Sequence, residues 1–155
     1  MNLQKIDNAN DHIKILIVED LPIYMLSIKS ILEIVPEFKV IGEAQDGLEA
    51  LKKVQISQPD IILMDIGLPK MSGIDATKII KENYPDVKII ILTSHTDENE
   101  VIESLEAGAD AYALKDIDTD LLLMLIKSIK DGAFWLDPQI VKIVKHKRPD
   151  IICSK

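Results

Sequence analysis

Five short apolar runs, each followed by a segment with helical spacing, constrain this chain more than any other feature. The runs span residues 15–18, 40–41, 61–64, 89–92 and 111–114. The first, third and fourth are almost continuously apolar, the pattern of strands buried on both faces beneath helices. The intervening segments carry helix-end signals. Residues 21–35 begin after Asp20, hold Pro22 in the first turn and stop at Pro36, and proline is favoured at a helix start. Asp46/Glu49, Ser72/Asp75 and Asp97/Glu100 each stand three apart at a segment start, the spacing of a capping box. Gly108 and Gly132 follow helical segments and suit the left-handed position past a helix end. The order β-α-β-α-β-α-β-α-β-α predicts an α/β domain, a doubly wound (βα)5 sandwich with a parallel sheet and right-handed crossovers. Residues 134–145 read as a short extension, helical after Pro138.

A chain of 155 residues is one domain by size. Its 47% apolar and 28% charged residues exclude a disordered or collagen-like chain. Cys153 is the only cysteine, so no internal disulfide forms, which suits a reducing cytosol. The polar start, residues 1–14, shows no secretory signal. The longest apolar run, residues 121–126, falls far short of the ~20 residues needed to span a bilayer. A cytoplasmic location without membrane contact is expected. The net charge of −8 argues against direct nucleic-acid binding. That charge is uneven, because five bases and one acid lie between Lys142 and Lys155. The basic end reads as a solvated tail or as a docking segment at the start of a linker. The expected division is a polar tail at 1–12, a core domain at 13–132 and a basic extension or truncated linker at 133–155.

Ligands of open parallel sheets sit beyond the carboxyl ends of the strands. The first run ends in Glu19 and Asp20, the third in Asp65, the fourth in Thr93 and Ser94, and the fifth in Lys115. Each has an ordinary reading alone: Asp20 as a helix cap, Asp65 as a strand terminator, Thr93 as a β-branched strand residue, Lys115 as a solvated lysine. Together they place three carboxylates, a hydroxyl and an ammonium on one rim. Unit charges ~4 Å apart repel by about 4 kcal/mol at an effective dielectric near 20. Three carboxylates against one lysine leave a deficit of two positive charges, which a divalent cation fills. Oxygen-only ligands favour Mg²⁺, Ca²⁺ or Mn²⁺, and Mg²⁺ keeps positions for phosphate oxygens. The set therefore reads as a phosphoryl site. Asp65 stands apart from the Glu19–Asp20 pair and is assigned as the phosphoryl-accepting nucleophile. Lys115 would neutralise one phosphoryl oxygen, and Thr93 would donate a hydrogen bond to another.

Four segments, ILIVED (15–20), ILMDIGLPKMSG (62–73), IILTSH (90–95) and AGADAYALKD (107–116), resemble the receiver domain of bacterial response regulators over roughly residues 13–132. The resemblance implies a flavodoxin-like sheet in the order 2-1-3-4-5. It implies metal binding by Glu19, Asp20, Asp65 and the Gly67 backbone carbonyl, with Mg²⁺ as the cofactor. It implies Asp65 as phosphoacceptor, with Thr93 and Lys115 beside it. Tyr112 matches an aromatic switch partnered with Thr93, and Pro69 and Gly73 match the loop after the phosphoacceptor. The implied activity is that of a phosphoacceptor switch rather than an enzyme. A histidine kinase phosphorylates Asp65, and the helix 4–strand 5–helix 5 surface then changes to control an output partner. Homodimerisation on phosphorylation is a further implication. His95 reads as a solvated loop residue.

AGADAYALKD and residues 131–138 with Gly132, Trp135 and Pro138 look like the NarL/FixJ class. Two readings of the output follow. One is a stand-alone receiver acting through protein contacts. The other is the receiver part of a DNA-binding transcriptional regulator whose helix-turn-helix domain is absent from this chain. The chain departs from many receivers after Lys115, where Asp116 replaces a proline. A third reading, an aspartyl phosphatase of the haloacid dehalogenase type, needs an aspartate two beyond the nucleophile. Gly67 occupies that position.

Overall fold

A computed structural model describes residues 12–153; the expected polar tail, apart from His12, lies outside them. Five strands run β1 (Ile13–Val18), β2 (Phe38–Ala44), β3 (Ile61–Met64), β4 (Lys88–Thr93) and β5 (Ala111–Leu114). Between and after them lie α1 (Pro22–Glu33), α2 (Gly47–Ser57), α3 (Gly73–Asn83), α4 (Glu98–Glu106) and α5 (Thr119–Lys130). The chain then adds β6 (Trp135–Leu136), α6 (Pro138–Lys147) and α7 (Pro149–Cys153). The sheet is parallel throughout, in the order β2-β1-β3-β4-β5-β6. The expected 2-1-3-4-5 core is present, extended by a sixth strand that the apolar runs did not announce.

Alternation along the strands sorts two cores. Ile15 and Ile17 of β1 join Met25, Ile28 and Leu32 of α1 and Leu125 and Ile129 of α5 on one face. Leu16 and Val18 face the opposite way, with residues of α2, α3 and α4. Period-two alternation in a strand covered on both sides requires apolar side chains at every position, and β3 is fully buried along its length.

Helix starts follow the expected caps. Asp46 accepts from Glu49 N at 2.8 Å, Ser72 from Asp75 N at 3.2 Å, and Asp97 from Asn99 N and Glu100 N at 3.0 Å. The first helix differs. Leu21, not Asp20, is the residue before α1, and no side chain caps it. The Glu19 carboxylate accepts from Leu21 N at 3.0 Å instead, which leaves Asp20 unspent at the rim. Gly108 and Gly132 have φ of +106° and +100°, the left-handed helix exits expected of them.

The C-terminal segment is folded onto the domain. β6 pairs with β5 through Ala111–Trp135 and Tyr112–Leu136. Leu136, Ile140, Val144 and Ile151 enter the same core as Val101, Leu105 and Tyr112. Lys147 pairs with Glu98 at 3.1 Å, and Arg148 pairs with Glu106 and Asp150. Two of the basic residues read as a solvated or docking end therefore neutralise acids of α4. The amphipathic spacing of residues 138–147 is spent on burying one face against this domain.

Candidate functional site

Backbone pairing carries the site residues past the ends of their strands. Glu19 N donates to Ala44 O at 2.9 Å, Asp65 N to Val18 O at 3.0 Å, and Lys115 N to Thr93 O at 2.9 Å. Each ladder thus runs one residue beyond its strand, and the side chains emerge from a fixed main chain at the carboxyl rim. The loop after Asp65 is held equally firmly. Gly73 N returns to Ile66 O at 3.0 Å, and a Cβ on Gly73 would collide with the Asp65 carbonyl. Lys70 in this loop takes φ +64°.

Glu19, Asp20 and Asp65 each offer a carboxylate oxygen, and these oxygens lie within 4.8 Å of one another. Glu19 and Asp65 are buried and Asp20 is half-buried. Lys115 Nζ stands 2.8 Å from Glu19 Oε2 and 3.1 Å from Asp65 Oδ2. The other Asp65 oxygen accepts from Ile66 N at 2.8 Å. Burial, with the Asp65 charge added, pushes the Glu19 carboxyl above its usual range, against the pull of Lys115 and the Leu21 N–H. Burial opposes the charge on Lys115, but Glu19 and Asp65 outweigh it and raise its pKa. The site thus holds more negative charge than one ammonium relieves. An all-oxygen donor set with that surplus fits a hard divalent cation.

Thr93 is fully buried at the end of β4, and its hydroxyl oxygen accepts from His95 N at 3.3 Å. Tyr112 is also fully buried, with its hydroxyl donating to His95 O at 2.7 Å. Burial, followed by the nearby charges of Glu100, Asp65 and Asp97, raises its pKa. Thr93 and Tyr112 therefore meet at one residue, His95, from its two backbone sides. Gly67 is exposed, two residues beyond Asp65. No peptide bond among the described residues is cis, so Lys115–Asp116 is trans.

Two neighbours of the site escaped the sequence. His95 lies in a loop with its side chain 39% exposed, but it is not without partners: its Nδ1 lies 3.1 Å from Glu100 Oε2, and a Cβ on Gly67 would stand 3.1 Å from its ring. Glu100 was expected to reach back to its helix start; Asp97 alone caps α4, which leaves the Glu100 carboxylate for His95. Tyr24, on the first turn of α1, presents its ring 4.3 Å from Lys115 Nζ. Burial and then the Glu19 and Asp65 charges push its hydroxyl up to about 12. No local motif reveals this contact, which joins α1 to the end of β5.

These features define a doubly wound α/β domain with an acidic, lysine-bearing crevice where the sheet order reverses, between β1 and β3. The chain belongs to the response regulator receiver domain family, whose model matches residues 15–127. It is 37% identical over 149 residues to the transcriptional regulatory protein DegU of Brevibacillus brevis, a match covering 96% of this chain and 62% of that protein. It is 37% identical over 128 residues to the transcriptional regulatory protein LnrK of Bacillus subtilis, covering 83% and 58%. The chain spans about three-fifths of the length of these relatives. A LuxR-family two-component response regulator from Aurantimonas sp. superimposes with a TM-score of 0.82 at 31% identity, over 89% of this chain and 99% of that one. The response regulator domain of Thermotoga maritima CheB gives 0.72 at 33% identity, over 82% and 99%. No described helix is long and apolar enough to cross a membrane.

Proposed function

We propose that this receiver, working in the cytoplasm, takes a phosphoryl group on Asp65 from a sensor histidine kinase or a small acyl phosphate. The observation that carries the reading is the Asp65 carboxylate, grouped with Glu19 and Asp20 and 3.1 Å from the Lys115 ammonium. An Asp65 oxygen attacks phosphorus, an O–P bond forms, and the bond to the donor's imidazole nitrogen or acyl oxygen breaks with its electrons leaving on the donor. Such transfer needs positioning and charge neutralisation more than covalent help from the protein. Glu19, Asp20, Asp65 and the Gly67 carbonyl would hold Mg²⁺, which when bound supplies positive charge to the phosphoryl oxygens. Lys115 neutralises an oxygen as a point charge. This is a switch with one acceptor, not a turnover catalyst.

The added charge of about −1.5 to −2, taking an acyl phosphate to resemble other phosphorylated side chains, draws the Thr93 hydroxyl away from His95 N. Tyr112 shares His95 through its carbonyl, so the change passes to the β4–α4 loop, to α4 and to the α4–β5–α5 face. We assign the receiver unit to residues 13–132, with 133–153 as an appendage docked on α4. The relatives that bear regulatory names are longer than this chain. That favours a second reading of the output, the receiver part of a DNA-binding regulator, over a stand-alone switch.

Intact mass after incubation with acetyl phosphate and Mg²⁺ tests the central reading. One phosphoryl group is expected on the wild type and none on Asp65→Asn or in excess chelator. An adduct that persists on Asp65→Asn would sink the assignment.

A further inference from the structure

Lys115 is a long, flexible side chain asked to meet a phosphoryl oxygen at one place. Three groups hold its ammonium: Glu19 at 2.8 Å, Asp65 at 3.1 Å and the face of the Tyr24 ring at 4.3 Å. On the phosphoacceptor reading the first two do not keep their parts. Asp65 loses its carboxylate charge when an oxygen becomes the acyl phosphate bridge, and Glu19 is a candidate ligand of the cation. Tyr24 is neither a candidate ligand nor a reactant, so its hold is unaltered by the chemistry. Its place is fixed by packing: α1 is entered at Pro22, and Met25, the next residue, is buried in the core beneath it. An aromatic face attracts an ammonium through the ring quadrupole, and more strongly where water is excluded.

We propose that Tyr24 is a positioning residue for phosphotransfer, its ring face keeping the Lys115 ammonium at the phosphoryl site while the two carboxylates change partners. The ring face is what acts, not the hydroxyl. The role rests on Asp65 being the phosphoacceptor.

The test uses the full chain as wild type, Tyr24→Phe and Tyr24→Leu, with denaturant midpoints measured to verify folding. The first readout is the NMR shift of the Lys115 Cε protons, which a ring face moves upfield. That shift is expected in the wild type and Tyr24→Phe and absent in Tyr24→Leu. The second is the rate of phosphorylation by saturating acetyl phosphate with Mg²⁺. Tyr24→Phe is expected within about twofold of wild type and Tyr24→Leu about fivefold slower, the size of a partly desolvated cation–π contact. Equal rates in all three folded proteins, or an unmoved Lys115 shift in Tyr24→Leu, overturn the proposal. No adduct on the wild type overturns the phosphoacceptor reading and the phosphotransfer role with it, while the shift still decides whether the ring places the ammonium.

Discussion

Lys115 Nζ sits closer to Glu19 Oε2, at 2.8 Å, than to Asp65 Oδ2, at 3.1 Å. One ammonium therefore ties the end of β5 to the ends of both β1 and β3. Glu19 is only 3% exposed, and a buried carboxylate that loses its partner is left uncompensated. Lys115→Ala is expected to destabilise the metal-free protein by about 3 kcal/mol. The same variant should bind Mg²⁺ more tightly, because the site then carries a larger negative surplus. Urea unfolding in chelator and in Mg²⁺, with calorimetric titration of the ion, checks both signs. A variant as stable as wild type without metal would show that the pair adds nothing.

The pH dependence of stability has a definite sign. Glu19 titrates above its ordinary value of 4.5 in the folded protein. Between that value and the raised one the folded state holds a proton that the unfolded chain has released. Stability of the metal-free protein should fall as pH rises through that window. Lys115, raised above 10.5, contributes stability that is present below 10.5 and lost as pH climbs past its folded pKa. Mg²⁺ bound to the folded state alone adds about 2.7 kcal/mol at a hundredfold excess over its dissociation constant. Bound through Glu19 as proposed, it would displace that proton, so the decline across this window should vanish in Mg²⁺. Denaturant midpoints across pH, with and without metal, read this directly.

Gly73 is set by close approach. A methyl group there would run into the Asp65 carbonyl, whose own peptide N–H, on Ile66, donates to Asp65 Oδ1 at 2.8 Å, while the Asp65 N–Val18 O bond pins the peptide before it. Gly73→Ala is expected to cost about 3 kcal/mol, the upper range for forced overpacking. It should also lower Mg²⁺ affinity, since relief requires the Asp65 main chain to move. Thermal melts and metal titration of this variant provide the check; an unshifted melt would place the collision elsewhere.

The C-terminal segment should behave as part of the domain. Ile140 of α6 is fully buried, and Ile140→Ala is expected to cost about 3 kcal/mol in urea. Arg148→Ala removes exposed ion pairs with Glu106 and Asp150 and should leave the midpoint almost unchanged, as surface pairs usually do. Comparable effects of the two would mean that charge, not packing, fastens α6 to α4.

What the sequence revealed was local. Asp46, Ser72 and Asp97 cap helices through neighbours two or three residues away, and the strand-end acids announce themselves by following apolar runs. β2 was under-read as residues 40–41 because its ladder to β1 uses Lys39, Gly42 and Glu43 as well. An edge strand tolerates polar and small residues that hide its period. β6 is two residues long and has no period to detect. The ordinary reading of Asp20 as a helix cap fails because Leu21 precedes α1 and its N–H goes to a Glu19 oxygen. The contacts that the sequence hides, at the site and beyond it, are non-local. Tyr24 meets Lys115 across the fold, and Arg148 meets Glu106 across 42 positions. Spacing rules do not reach that far.

The short β6 also limits how copies of this domain can join through their sheets. It occupies the rim of β5 and is itself too brief to template another strand, with α6 following immediately. That leaves β2 as the long strand edge among the described residues. A sheet with a single receptive edge can pair once and then has nothing left to offer. Strand-to-strand association would end at a two-fold pair rather than grow into a filament.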